Sequence, residues 1–104
     1  MSEAVTVTVT WAIKPECADA FVAALDGMFP VTRQRGGFRD IRLLKSAIEP
    51  NQFVLIEAWD DIQNFQDYAQ FRTETGDTAD LLAMTASPPQ LGVWALDPLA
   101  AAKV

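Results

Sequence analysis

Strict alternation of side-chain types marks the first strand of this chain. Residues 5–13 read V-T-V-T-V-T-W-A-I, and a period of two rich in β-branched residues predicts a strand from Val5 to Ile13. One face carries the valines and Trp11, while the other carries three threonines and Ala12. Neither face carries a charge, although a strand that faces water usually does. We therefore expect both faces to be buried, one under helices and the other against a second copy of the chain.

The next segment has the spacing of an amphipathic helix. Pro15 suits its first position, because the N–H that proline lacks would be unpaired there in any helix. Phe21, Leu25, Met28 and Thr32 then follow at spacings of four, three and four and form an apolar stripe. Pro30 lies inside the same segment, so we expect a kink or a break there, since proline removes a backbone hydrogen bond and crowds the preceding turn.

Two more strands are predicted, at Phe38–Ala47 and at Phe53–Trp59. The second of them reads F-V-L-I-E-A-W and is apolar on both faces except for Glu57, which again indicates two buried faces. Between the strands, Pro50 and Asn51 suit the second and third positions of a tight turn.

A second helix is predicted after the third strand. Asp60 is a suitable N-cap and Gln63 completes a capping-box-like pair, while Gly76 is a suitable end for the helix. The remaining predicted elements are a short helix at about Asp77–Thr85, a stop at Ser87–Pro89, a strand at Leu91–Leu96 and a frayed tail at Pro98–Val104.

The order of elements predicts the fold class. Strand, helix, strand, strand, helix, short helix, strand is the split βαβ arrangement of ferredoxin-like α+β folds, an antiparallel sheet with helices on one face. A length of 104 residues suits one domain covering 1–104. Because the helices cover only one face, we expect a homodimer that joins the two bare sheet faces.

Composition and charge narrow the partners. The chain is 50% hydrophobic and has a net charge of -6, so it repels phosphate groups, and neither nucleic acid nor an anionic membrane is an expected partner. No apolar run is long enough to span a membrane and no signal segment precedes the first strand, so the expected location is the cytoplasm. Five of the eight basic residues are concentrated in one stretch: Arg33, Arg35, Arg39, Arg42 and Lys45.

The segment Glu57–Asp80 is the counterpart of this basic stretch, with seven acidic residues against Arg72 alone. The two segments are either ordinary solvated surfaces with weak ion pairs, or they meet across a dimer, or the basic stretch binds an anionic ligand. The chain has no histidine and a single cysteine, Cys17. This composition excludes histidine-based triads, histidine-ligated haem, most zinc sites and an internal disulfide.

Three short motifs resemble one protein family. Lys14-Pro15 follows the first strand, R-G-G-F at 35–38 precedes the second, and F-V-L-I-E-A-W-D-D occupies 53–61. Together with the element order, they resemble the antibiotic biosynthesis monooxygenase domain over nearly the whole chain. The resemblance implies a dimeric α+β barrel. It also implies a family that includes quinol and anthrone-type monooxygenases without metal or flavin, haem-degrading enzymes, and members without known activity.

The resemblance also assigns roles to individual residues. Trp59 matches a tryptophan that lines the pocket of active members, and Tyr68 stands where haem-degrading relatives have histidine, which argues against haem degradation. Anthrone-oxidising members have an asparagine four residues before the tryptophan and a tyrosine six residues after it. This chain has Leu55 and Phe65 at those positions.

These residues define a candidate pocket. The period of two places Leu55, Glu57 and Trp59 on one face of the third strand, and the other expected pocket residues are Val9, Trp11, Phe65, Tyr68, Arg72 and Met84. Glu57 is interpreted either as a general base or as a structural residue that pairs with Arg42 or Arg72 or forms a hydrogen bond across the dimer interface. Arg72 either closes the pocket over an anionic substrate or lies along the surface.

Two functions are compatible with this pocket. The first is a monooxygenase without cofactors that acts on a phenolic, quinol or anthrone-like aromatic molecule, with Trp59, Tyr68 and Glu57 as candidate catalytic residues. The second is a non-catalytic ligand-binding or stress-response dimer, in which large aromatic residues simply fill the core.

Overall fold

A computed structural model describes residues 3–95 of the chain. The tail that was expected to fray, 98–104, lies outside the described residues. The helices and strands are β1 (Val5–Ile13), α1 (Ala18–Thr32), β2 (Phe38–Lys45), β3 (Gln52–Trp59), α2 (Ile62–Thr75), α3 (Asp77–Leu82) and β4 (Thr85–Ala95), with a 3-10 turn at Pro15–Cys17 before α1.

The four strands form one antiparallel sheet in the order β2-β3-β1-β4. β1 lies next to β3, with Val7 opposite Glu57 and Val9 opposite Leu55. The structure therefore confirms the predicted ferredoxin-like α+β fold. The central pair β1 and β3 forms the floor on which the helices pack.

The helices bury one face of the sheet. Val7 and Trp59 are completely buried on that face, as is Phe21 of α1. On the opposite face Thr6 is exposed and Thr8 is half-buried. Within one chain, then, only one face of β1 is buried, and the expected burial of its second face would require another molecule.

Pro30 does not break the first helix. α1 runs without interruption from Ala18 to Thr32 and contains the proline. The predicted break is therefore wrong. The proline costs the helix only one backbone hydrogen bond, the one that its missing N–H would donate, and side chains on both sides of the proline are packed in the core. Leu25 and Thr32 are both buried against neighbouring elements.

The cap of the second helix differs from the prediction by one residue. Asp61, not Asp60, is the N-cap, and its carboxylate accepts a hydrogen bond of 2.9 Å from the backbone N–H of Asn64. Asp60 pairs instead with Arg39 at 2.6 Å, and the side chain of Gln63 donates to Asp67 rather than completing a capping box.

The last strand differs most from its prediction. β4 begins at Thr85 and continues through Pro88 and Pro89, so the predicted stop and the predicted start at Leu91 are both wrong. Among the described strands, β4 lies at the edge of the sheet and pairs only with β1. Prolines are tolerated there, because an edge strand does not need every N–H for the sheet. The pairing shifts register beside them, between Thr10 and Ala12 of β1.

Candidate functional site

A cavity of about 180 Å³, partly open to solvent, lies between the sheet and the helices. An apolar cavity of roughly 150 Å³ suffices to hold a benzene ring, so this one accommodates an aromatic ring. Its wall is mostly hydrophobic, with few polar groups, as in small-molecule sites generally. The lining residues are Val9, Trp11, Leu25, Met28, Phe29, Ile41, Leu55, Glu57, Phe65, Tyr68, Ala69, Arg72, Thr73, Thr78 and Leu81.

Seven of the nine residues expected at the pocket lie in this wall, and two do not. Met84 packs instead against the hydrophobic cluster that contains Phe21 and Phe53. Trp59 is completely buried behind the wall, where its ring contacts Phe38 edge-on at 5.7 Å and Tyr68 at 5.0 Å between ring centroids. The structure therefore does not place Trp59 where it would touch a ligand.

Glu57 is the buried carboxyl group of the site. Its Oε1 accepts a hydrogen bond of 3.0 Å from the indole N–H of Trp59. Burial raises the pKa of Glu57 from 4.5 to about 7, although the hydrogen bond from Trp59 and the positive charge of Arg72 both act in the opposite direction. Loss of hydration outweighs both because the carboxyl group is surrounded by apolar walls.

Arg72 is buried, so the alternative that it lies along the surface is wrong. Its Nη1 donates to Asp77 at 2.7 Å, its Nε donates to the Tyr68 hydroxyl at 3.0 Å, and its Nη2 donates to Thr32 at 3.1 Å and to the Met28 carbonyl at 2.8 Å. The guanidinium group thus joins α1, α2 and the start of α3. Its hydrogen-bonding capacity is nearly exhausted by protein groups.

Asp77 balances the charge of Arg72. A hydrogen bond from Thr75 at 2.7 Å and the pairing with Arg72 hold the pKa of Asp77 below its ordinary value. Asp77 is therefore ionised at neutral pH. The positive charge in the cavity wall is already neutralised by the protein.

Tyr68 and Thr32 share a hydrogen bond of 2.8 Å, in which either hydroxyl group can be the donor. Thr32 also lies 3.1 Å from the Met28 carbonyl, and the Tyr68 hydroxyl accepts from Arg72. The Tyr68 hydroxyl group is therefore already engaged by two protein side chains.

The sequence placed Thr32 on the apolar stripe of α1 but did not indicate that it belongs to the candidate site. It is completely buried and continues the apolar stripe of α1 four residues after Met28. A hydroxyl group at the buried end of an apolar stripe was the signal, since such a group requires a partner. The partner is Tyr68 of α2. The sequence alone does not show that α2 packs against this end of α1.

The basic stretch is less unusual than its sequence suggested. Arg39 pairs with Asp60 at 2.6 Å, and Arg42 pairs with Asp40 at 3.4 Å, with all four side chains more than half exposed. Arg42 is therefore not the partner of Glu57. These two ion pairs fit the interpretation as ordinary surface pairs, which contribute little to stability.

The family of the chain follows from comparison with known proteins. A sequence model of the family described as antibiotic biosynthesis monooxygenase matches residues 4–73, which include the strands and helices that form most of the cavity. The chain belongs to the antibiotic biosynthesis monooxygenase family. The resemblance noted from the three short motifs is thereby confirmed. A search of curated proteins found no significant match.

Solved structures of other proteins show the same fold. Rv0793 from Mycobacterium tuberculosis matches with a TM-score of 0.81 and 25% identity over 90% of this chain and 96% of that chain. A mutant of SnoaB, a cofactor-independent oxygenase from Streptomyces nogalater, matches with a TM-score of 0.78 and 17% identity over 89% and 92%. A conserved protein from Methanosarcina mazei Go1 matches with a TM-score of 0.82 and 15% identity over 88% and 91%.

Residues 3–95 lack two further features. None of their helices combines the length and the apolar character needed to cross a membrane. Nor do these residues bring together three or more Cys, Asp or Glu side chains in a group that could hold a metal ion.

Proposed function

We propose that this protein is a cofactor-independent monooxygenase that acts on a phenolic, quinol or anthrone-like aromatic molecule. The observation that carries the proposal is Glu57, a carboxyl group with a pKa of about 7 in the wall of an apolar cavity. A general base is most effective when its pKa lies near the working pH. The family and the likeness to a cofactor-independent oxygenase support the same reaction class.

In the proposed reaction Glu57 removes an acidic proton from the substrate, which becomes an electron-rich anion able to react with O2. For an anthrone-type substrate, the ring CH2 becomes a carbonyl group. One oxygen atom of O2 forms the new C=O bond, the other leaves as water with the two CH2 hydrogens, and the substrate carbon supplies all four electrons. Glu57 returns its proton in the last step, so it is unchanged by the cycle.

The proposed substrate is neutral before it loses its proton. Arg72 is the cationic residue in the wall, and its charge is balanced by Asp77 at 2.7 Å. Its donors are directed at Tyr68, Thr32 and a backbone carbonyl. A carboxylate or phosphate group on the substrate would therefore enter an apolar cavity without an unpaired cation to balance its charge, which is costly. This argues against closure of Arg72 over an anionic substrate.

We also propose that the protein acts as a homodimer joined through the open sheet face. The central part of this face, on β1 and β3, carries Thr8, Thr10, Val54, Ile56 and Ala58 and has no charge. None of these five residues is fully buried within one chain. Covering them with a second copy would remove apolar surface from water, which stabilises association by roughly 25 cal/mol per Å².

Oxygen consumption tests the proposed activity. Wild-type protein is mixed with hydroquinones and anthrones without added metal or flavin, and turnover is compared with that of Ala69→Leu, which fills the cavity. Ala20→Leu is the matched control, because Ala20 lies on the exposed side of α1. We expect turnover in the wild type and in the control but not in Ala69→Leu. Absence of turnover with every compound, or equal rates in all three proteins, would contradict the proposal.

A non-catalytic binding role is the second candidate. It is favoured by the apolar side chains of Leu55 and Phe65 in the cavity wall, since anthrone-oxidising relatives have polar residues at those positions. Quenching of tryptophan fluorescence by 2-naphthol, combined with no oxygen consumption across the substrate panel, would support binding without catalysis.

A further inference from the structure

We propose that Trp59 is a positioning residue, whose indole N–H holds one oxygen of the Glu57 carboxyl group so that the other oxygen is directed at the substrate. The catalytic consequence of this inference rests on the proposed function. The hydrogen bond between Trp59 and Glu57 does not depend on it. It differs from a role in which Trp59 contacts the aromatic ring of the ligand, because Trp59 lies outside the cavity wall.

The spacing of the two residues makes this arrangement possible. Glu57 and Trp59 are two positions apart on β3, so both side chains lie on the helix-covered face of the sheet. Glu57 is opposite Val7 of β1 and Ile41 of β2. The carboxyl group thus lies on the strand between β1 and β2 and lines the cavity, with the indole ring at its side.

Trp59 is suited to fix the carboxyl group because its indole ring is tightly enclosed. It is completely buried and is held between Phe38 and Tyr68, with ring centroids at 5.7 and 5.0 Å. A rigid donor 3.0 Å from Oε1 restrains the terminal torsion of Glu57, which otherwise has a broad range.

The second carboxyl oxygen is left for the ligand. No described residue donates a hydrogen bond to Oε2 of Glu57. This oxygen is also not completely buried. Because Glu57 lines the cavity, this oxygen is the one that a substrate hydroxyl can reach. The hydrogen bond from Trp59 also favours the ionised form of Glu57 and so keeps its pKa from rising further.

The groups around Glu57 are simple enough for a clear titration. From α2, Arg72 and Tyr68 face the cavity. The lining residues that β1, β2, α1 and α3 contribute carry no titratable group: Val9, Trp11, Ile41, Leu25, Met28, Phe29, Thr78 and Leu81. Arg72 stays charged over the accessible pH range. A titration near pH 7 seen inside this site therefore reports Glu57.

The three tryptophans provide internal controls for the test. The indole N–H of Trp59 donates to Glu57, that of Trp94 donates to the Thr8 hydroxyl at 2.9 Å, and that of Trp11 is buried without a partner among the described residues. Only the first of these partners changes charge near neutral pH.

The experiment follows the three indole N–H resonances of the 15N-labelled wild-type protein from pH 5 to pH 9. We expect the Trp59 resonance to shift with a midpoint near pH 7, as the Glu57 carboxyl group ionises, and the Trp11 and Trp94 resonances to show no such step. In Glu57→Gln the Trp59 step should disappear while the resonance remains, because Gln keeps an oxygen acceptor. A Trp59 resonance that does not titrate, or that titrates equally in Glu57→Gln, would overturn the proposal.

Trp59→Phe tests the consequence for the site. Phe keeps an aromatic ring but lacks the N–H, so the pKa of Glu57, followed by its carboxyl 13C resonance, should rise by about one unit. Any turnover should show the same displacement of its pH profile. An unchanged Glu57 titration in this variant would contradict the proposal. Because both resonance measurements need no substrate, an inactive protein would contradict the proposed function and leave this result unaffected.

Discussion

The raised pKa of Glu57 predicts that this residue destabilises the folded protein at neutral and alkaline pH. Folding moves its pKa from 4.5 to about 7, a difference of about 2.5 units. At ~1.36 kcal/mol per unit, the free energy of unfolding is lower by about 3 kcal/mol once the group is ionised in both states. This is a large fraction of the stability of a small domain.

The sign follows from which state binds the proton more tightly. Below pH 4.5 the carboxyl group is protonated in both states, so its burial as an ion costs nothing. Between pH 4.5 and about 7 the unfolded chain loses its proton first, and stability falls as the pH rises. Above pH 7 the full cost is present. Glu57→Gln removes the charge but keeps the acceptor for Trp59, so its advantage over the wild type should appear only as the pH rises.

Urea denaturation at pH 4, 6 and 8, at one protein concentration, measures this advantage. We expect the free energies of unfolding of wild type and Glu57→Gln to be close at pH 4 and to differ by about 3 kcal/mol at pH 8, with the variant more stable. Glu49→Gln is the matched control, since Glu49 lies exposed between β2 and β3 and should show no such divergence. A difference between wild type and Glu57→Gln that stays constant across the pH range would refute the reasoning.

Three further predictions concern the network, the dimer and the ligand. Thr32→Val removes the hydrogen-bond partner of the Tyr68 hydroxyl and the acceptor of one Arg72 N–H, and it should lower the free energy of unfolding by about 1–3 kcal/mol. Thr73→Val loses the same type of helical hydrogen bond at an exposed site and should cost much less. Equal costs in urea denaturation would count against the network. Thr8→Lys should abolish the dimer or unfold the protein, because it buries an unpaired ammonium group. Light scattering should give twice the 11.4 kDa chain mass for the wild type, and a folded wild-type monomer would exclude the dimer. In tryptophan-quenching titrations 2-naphthol should bind at least roughly tenfold more tightly than 2-naphthoate, which would have to bury its charge; equal affinities would argue against a neutral substrate.

The sequence by itself determined most of the fold. Period-two alternation predicted β1 with the bounds Val5–Ile13 that the structure shows, because alternation reports which side chains face the core whatever covers them. The sequence also indicated where the backbone adopts a left-handed conformation. α2 ends at Thr75 and is capped by Gly76, whose φ of 86° favours glycine, and Asn51 has a φ of 61° in the turn before β3.

Part of the candidate site was also determined by the sequence. Leu55 and Glu57 share a face through their spacing alone, and the structure places both in the cavity wall. Trp59 has the same spacing, yet it lies behind the wall, because the helix above the end of β3 covers it with Tyr68. Periodicity identifies the buried face of a strand but not which part of that face a helix leaves uncovered.

Only the tertiary structure decided the rest. The passage of β4 through Pro88 and Pro89 depends on its place at the edge of the sheet, which the order of elements along the chain does not state. The burial of Arg72 depends on Thr32, forty residues away, and on Asp77. A long charged side chain is buried only where partners from separate elements converge, and local sequence carries no record of that convergence.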